Sequence, residues 1–149
     1  MSHDHFEQDI VRFNEIYKLE NNHQPTLLAP GRLQQFYEIL SEEVEEVQDI
    51  RSQYEAALAK GAVGPEESMA ILTDMADWLG DIVVYCASEA RRWGIPLNKV
   101  LKVIMESNFS KLDQDGQPIY DHRGKVMKGP NYWKPEGKIA EVLRQDVTL

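Results

Sequence analysis

Two long stretches of this chain, about Arg32 to Ala59 and Pro65 to Trp93, carry apolar residues at helical spacing and few helix breakers. The first sets Leu33, Tyr37, Leu40, Val44, Val47 and Tyr54 on one stripe; the second sets Ile71, Met75, Trp78, Ile82 and Tyr85 on another. A stripe that recurs every three or four residues is buried only against another element, so the pattern predicts two long amphipathic helices. Gly61, Gly64 and Pro65 separate them. Pro65-Glu66-Glu67 reads as a helix start, with proline in the first turn and acids at the positive end of the dipole.

Shorter elements flank this pair. Phe6, Ile10, Phe13 and Tyr17 predict a helix over about Asp4 to Leu19, and Asn21 to Gly31 reads as a loop. Gly94 ends the second long helix. Pro96 opens another, to about Ser107, on Leu97, Val100, Leu101 and Ile104. Beyond it Asp115-Gly116 and Asp121 to Gly124 are turn signals around Pro118-Ile119-Tyr120 and Lys125-Val126-Met127, which predict a short β-hairpin or an ordered loop. Gly129-Pro130, Pro135 and a short polar tail follow, with no internal repeat. The expectation is one domain over residues 1–149: mainly α, a four-to-five-helix bundle with a C-terminal flap over about residues 108–135.

Composition narrows the function. At 149 residues the chain can bury a real core. A formal net charge of -9 argues against a polymer of DNA or RNA as partner, since such binders present a basic stripe. It leaves a nucleotide substrate open, because a metal can neutralise both an acidic site and phosphates. No apolar run approaches the roughly 20 residues of a membrane span. The acidic start, MSHDHFEQD, is no signal peptide, and a single cysteine, Cys86 in an apolar run, suits a reducing cytoplasm and reads as a small buried hydrophobe.

The acids are the chemical signal. Leu40-Ser-Glu-Glu-Val-Glu-Glu-Val47 packs four acids into five positions, a pattern that most often marks a solvated face. At about 100° per residue, however, Glu43 falls between Ile39 and Ile50 on the border of the apolar stripe. Glu46 lies one turn on, Glu42 somewhat farther out, and Glu45 points away. On the other helix Asp74, Asp77 and Asp81 form one row at i, i+3, i+7, again bordering the apolar face. Aspartates are poor helix formers, and three in a row repel one another unless a cation lies between them. Packed antiparallel, the two rows can face each other and make an all-oxygen site, which suits Mg²⁺ or Mn²⁺ rather than Zn²⁺. A di-iron bundle wants Glu-x-x-His pairs, and none of His3, His5, His23 and His122 provides one.

The residues also resemble a known family. Glu42-Glu43-Val-Glu-Glu46-Val, followed by Asp74-Met-Ala-Asp77, is similar to the Glu-x-x-Glu … Glu-x-x-Asp signature of the all-α NTP pyrophosphatases, with Asp74 where Glu is common. Glu106-Ser-Asn-Phe-Ser-Lys111, Gly116-x-Pro-Ile-Tyr120 and Lys128-Gly-Pro-Asn-Tyr132 resemble the tail of their MazG-like and dimeric dUTPase-like branch. The resemblance runs from about Phe36 to Lys134. It implies a helical homodimer or homotetramer that hydrolyses nucleoside triphosphates, dUTP or other deoxynucleotides among them, to a monophosphate and pyrophosphate.

On that reading Mg²⁺ (or Mn²⁺) is held by Glu43, Glu46, Asp74 and Asp77, with Asp81 as an orienter or further ligand. Glu42 or Glu43 activates the water. Asn108 reads a base edge or sugar hydroxyl, Lys111 and Lys128 hold phosphate oxygens, and Tyr132 or Trp133 stacks on the base. Two alternatives stay open: phosphoribosyl-ATP hydrolysis, against which the long tail speaks, and a non-catalytic helical protein whose acids bind a basic partner.

Overall fold

The computed structural model describes residues 4–147; of the histidines weighed above, His3 lies outside them. Six helices are found there: α1 (Asp4–Ile16), α2 (Gly31–Glu45), α3 (Val47–Ala59), α4 (Pro65–Arg92), α5 (Leu97–Phe109) and α6 (Glu136–Val147). The mainly helical expectation holds, with two corrections. The helix read as continuous from Arg32 to Ala59 is interrupted at Glu46, which caps α2 and opens α3 with its backbone still in the helical region. The polar tail contains α6, an amphipathic helix of 12 residues whose Ile139 and Ala140 are half-buried.

Helix α4 is the spine: α1, α2, α3 and α5 all pack on it, and α6 packs on α5. Pro65 starts it and Glu66, Glu67, Arg91 and Arg92 complement its dipole at the two ends. It stops at Trp93, and Gly94 follows at φ +67, where a side chain is strained. A Cβ at Gly94 would also run into the carbonyl of Gln24. The segment after α1 is thereby laid across the end of α4. Thr26 N–H donates to Trp93 O (2.8 Å), Asn22 N–H to Arg91 O (3.0 Å), and Asn22 Nδ2 to Arg92 O (2.7 Å).

Polar clasps hold this end. Asn14, fully buried on α1, donates from Nδ2 to Ser88 O (3.2 Å) and Glu20 O (3.1 Å), and its Oδ1 accepts from Ser88 Oγ (2.7 Å). Arg32 of α2 grips Glu89 of α4 through Nε (3.0 Å), and Trp93 Nε1 donates to the same carboxylate (2.7 Å). The buried apolar set, Ile10, Ala87, Ala90, Val100 and Val103 with Ala57, gathers mostly around this junction of α1, α4 and α5.

The flap is an ordered loop rather than a hairpin: a single antiparallel bridge joins Tyr120 to Val126. It does contain a local repeat that the sequence reading passed over. Asp113-Gln-Asp-Gly-Gln117 and Asp121-His-Arg-Gly-Lys125 fold alike. In each, the Asp Oδ1 accepts from the backbone N–H groups two and four residues on (2.8–3.0 Å), and the glycine takes φ +76 or +80. The first of these faintly suggests a Ca²⁺ loop by sequence, but its aspartate is spent bracing the turn. The glycine of Lys128-Gly129-Pro130 has a different reason: its N–H donates to Lys111 O (2.8 Å), and a Cβ would collide with the Leu112 carbonyl.

Candidate functional site

Midway along α4 the acidic rows meet. Glu46 and Asp49 of the α2–α3 junction and Asp74 and Asp77 of α4 line one cleft of about 240 Å³, with Ile50, Gln53 and Trp78. Glu43 lies beside it and is only 8% exposed. Trp78 Nε1 donates to Glu43 O (2.8 Å), which ties the two helices together at this level. One carboxylate oxygen of Glu43, Oε1, is buried without a hydrogen-bond partner.

The electrostatics of Glu43 follow from that setting. Burial raises its pKa above the usual carboxylate range, and the neighbouring Glu46, Asp81 and Asp77 carboxylates push it further in the same direction. Burying a carboxylate without a counter-charge is expensive, and here the nearest charges have the same sign. Glu46 and Asp49, on either side of the α2–α3 junction, both line the cleft.

Asp81 closes one side of a second cavity, of about 430 Å³, between α1, α2 and α4. Phe13, Phe36, Ile39, Val84 and Tyr85 supply apolar and aromatic walls, and Arg32 and Glu89 stand at its far end. The acidic cleft and this apolar cavity are thus one helical turn apart, between Asp77 and Asp81.

The anticipated site residues therefore divide. Glu43, Glu46, Asp74, Asp77 and Asp81 converge on one region of the bundle. Glu42 is exposed on α2 and lines neither cavity. Asn108, Lys111, Lys128 and Tyr132 gather elsewhere, around the end of α5. Lys111 N–H donates to Asn108 O (3.2 Å), Gly129 ties Lys128 to Lys111 O, and Lys128 Nζ lies over the Tyr132 ring at 5.0 Å. Trp133 is held by Ser107 Oγ donating to its carbonyl (2.9 Å) and carries Lys138 over its ring at 4.0 Å. No helix contact joins α5 or α6 to α2 or α3 among the described residues.

Asp49, Gln53 and Trp78 are cleft residues that sequence reasoning missed. Asp49 was findable, since Glu43, Glu46 and Asp49 repeat at every third position. Arg32 and Glu89 were not, because their meeting depends on how α2 crosses α4. Further residues near this end of α4 have local settings of their own. Cys86 is half-buried, and burial, then the Glu89 carboxylate, push its thiol up, away from nucleophile chemistry. Arg91 and Arg92 serve the end of α4: Arg91 donates to Asn22 O (3.2 Å), and Arg92 pairs with Glu20.

Among the described residues no three acidic, histidine or cysteine side chains already stand around one point that could hold a metal ion, and no helix is long and apolar enough to cross a membrane. No protein-family model matches the chain, and no curated protein matches it. A solved structure from Exiguobacterium sp. 255-15, whose assignment as an NTP pyrophosphohydrolase is itself provisional, is similar over 93% of this chain and 94% of its own, at 22% identity and a TM-score of 0.48. At that distance the likeness decides nothing about chemistry, and the functional reading rests on the residues.

Proposed function

We propose that the protein is a Mg²⁺-dependent nucleoside triphosphate pyrophosphohydrolase of the MazG-like and dUTPase-like kind. The observation that carries the reading is Glu43: a buried carboxylate with an unpartnered oxygen, with the Glu46, Asp77 and Asp81 carboxylates around it. A cation is the simplest group that makes this arrangement favourable. The donor set fits a hard one, since Glu43, Glu46, Asp74 and Asp77, with Asp81 beside them, offer only oxygen; Mn²⁺ suits the same set. When bound, the metal supplies positive charge against the phosphates and acidifies water.

The chain's residues then have definite tasks. The carboxylates position the metal and, through it, the triphosphate. Of the two carboxylates considered as base, Glu43 stands beside the cleft and takes the proton of the water that adds to the α phosphorus as pyrophosphate leaves; Glu42, on the outer turn of α2, is the other candidate and would have to reach in from outside it. The aromatic cavity beyond Asp81 receives the nucleoside, dUTP or another deoxynucleotide triphosphate among the candidates. Asn108, Lys111, Lys128 and Tyr132 provide polar and cationic contacts to base and phosphates.

The working form is a homodimer or homotetramer. The chain exposes 11077 Å², whereas a compact monomer of this size exposes about 7,800 Å². The surplus is of the order that permanent subunit interfaces bury. Much of it lies on flanks of α2 and α4 turned away from the acids, where Leu33, Tyr37, Val44, Leu72, Leu79 and Val83 are exposed. The cytoplasm, with its magnesium and nucleotide pools, is the setting we assign.

The test is pyrophosphate release across canonical, deoxy and modified nucleoside triphosphates with Mg²⁺. Calorimetric titration with Mg²⁺ alone gives a second readout. At least one triphosphate is expected to yield monophosphate and pyrophosphate, and EDTA to stop it. Activity that survives EDTA, or no turnover and no heat of Mg²⁺ binding, would overturn the assignment in favour of an acidic binding protein.

A further inference from the structure

We infer that Arg32 reads the base of the substrate. It selects a carbonyl at the edge of the base farthest from the sugar, as in uracil, thymine, guanine and hypoxanthine, over the amino group that cytosine and adenine carry there. This role rests on the proposed function, in which the cavity between α1, α2 and α4 receives the nucleoside.

Charge fixes the direction of the ligand. The cavity runs from Asp81, next to the acidic cleft, to Arg32, Ser88, Glu89 and Arg92. A triphosphate held at the carboxylates through metal puts the sugar near Asp81 and the base beyond it. Asp81 and Glu89 stand eight residues apart on α4, about 12 Å along the helix axis. That is close to the reach of a nucleoside from its phosphate-bearing oxygen to the far edge of its base. Phe13, Phe36, Ile39 and Val84 supply apolar walls for the ring faces in between. The far edge of the base thus arrives at the charged end.

That end has donors to spare, while its acceptors are taken. Glu89 is 8% exposed. Its Oε1 accepts from Arg32 Nε (3.2 Å) and Nη2, and its Oε2 accepts from Arg32 Nε (3.0 Å) and Trp93 Nε1 (2.7 Å), which fills both oxygens. The Ser88 carbonyl accepts from Asn14 Nδ2 (3.2 Å), and Ser88 Oγ gives its proton to Asn14 Oδ1 (2.7 Å). Arg92 is paired with Glu20. Arg32 differs. A guanidinium carries five N–H groups, and Glu89 takes only the one on Nε and one on Nη2. Nη1 comes no nearer than 3.5 Å to Gln35 Oε1, too long for a strong bond. The Arg32 side chain is 13% exposed, so water reaches the spare N–H groups poorly. A base carbonyl accepts from such a donor. An amino group sets donor against donor and finds no acceptor, which is costly away from water. The pairing with Glu89 also holds the guanidinium fork in place before the ligand arrives.

Nucleotide pairs that differ only along that edge test this. Initial rates with Mg²⁺ give kcat/KM for dUTP against dCTP and for dITP against dATP. In each pair that is turned over, the carbonyl member is expected to be preferred about ten- to a hundredfold, the discrimination that a good set of base contacts supplies. The difference should lie chiefly in KM. Arg32→Lys keeps a cation for Glu89 but has no fork. It is expected to fold and to lose the preference, with the rate on the amino bases little changed; a merely structural role would lower both members of a pair alike. Equal kcat/KM within a pair, preference for the amino base, or a preference that survives Arg32→Lys would overturn the inference and leave the hydrolase reading intact.

In a protein that hydrolyses none of the four, calorimetric titration with dUTP and dCTP in Mg²⁺ decides in place of rates. Tighter binding of dUTP, lost in Arg32→Lys, would leave base reading by Arg32 standing and remove only the hydrolase assignment. Equal binding, or none, would overturn it.

Discussion

The two halves of α4 treat charge in opposite ways. Around Ser88 to Trp93 nearly every polar group is answered: Asn14 by Ser88 and Glu20, Glu89 by Arg32 and Trp93, Arg92 by Glu20. Around Asp77 and Asp81 the carboxylates meet no cation among the described residues and crowd the buried Glu43. One half stabilises the bundle, and the other is carried by it. Uncompensated charge that the fold does not use is what a ligand site looks like before its ligand arrives.

The sharpest way to break this contrast is Glu43→Gln. In the acidic half the expected effects on activity and stability have opposite signs. Pyrophosphate release should fall by about 10³-fold, roughly 4 kcal/mol of barrier. The melting temperature without metal should rise, because a buried like-charge repulsion is removed. Mg²⁺ should raise the melting temperature of the wild type and leave that of the variant alone. A variant that melts earlier than the wild type and keeps its turnover would make Glu43 a structural residue.

In the other half, Glu89→Ala should cost about 3–5 kcal/mol of stability, because it leaves the largely buried Arg32 guanidinium unpaired. Chemical denaturation measures this. Asn14→Ala comes next, at about 1–3 kcal/mol, since it strands Ser88 Oγ and removes the donor to two backbone carbonyls. If Asn14→Ala abolished turnover in a protein of unchanged stability, the division of labour along α4 would be wrong.

How much of this was legible in the sequence follows from what is local. Helix spacing, the proline and glycine punctuation and the faces of the acidic rows depend on a few neighbouring residues, so α4, the rows and the loop over Asn21 to Gly31 could be read directly. The break at Glu46 could not. Its flanks are good helix formers, and only packing on α4 marks the site. Helix α6 was lost because its apolar positions, Ile139, Val142 and Leu143, are too few to declare a stripe. The separation of Asn108, Lys111 and Lys128 from the acids is invisible to motif reading, which orders residues along a chain and says nothing of where they stand in the fold.

The smallest expected effect sharpens the contrast outside α4, at the turn of Asp121. This is compensated charge again, but at the surface. Backbone N–H donation from Lys125 and Arg123, and the Arg123 side chain, hold the Asp121 carboxyl below its ordinary value. A carboxyl whose pKa is lowered by folding contributes stability above its unfolded pKa, near 3.9, and loses it as pH falls through the lower folded value. Acid should therefore loosen this turn below about pH 4. Asp121→Asn keeps an Oδ1 acceptor for both N–H groups but has nothing to protonate, so the acid-dependent part should disappear while the turn survives. Amide exchange of Arg123 and Lys125 across that range measures it. Equal acid sensitivity in the variant and the wild type would mean that the turn is set by Gly124 alone, and that the charge on Asp121 contributes nothing to it.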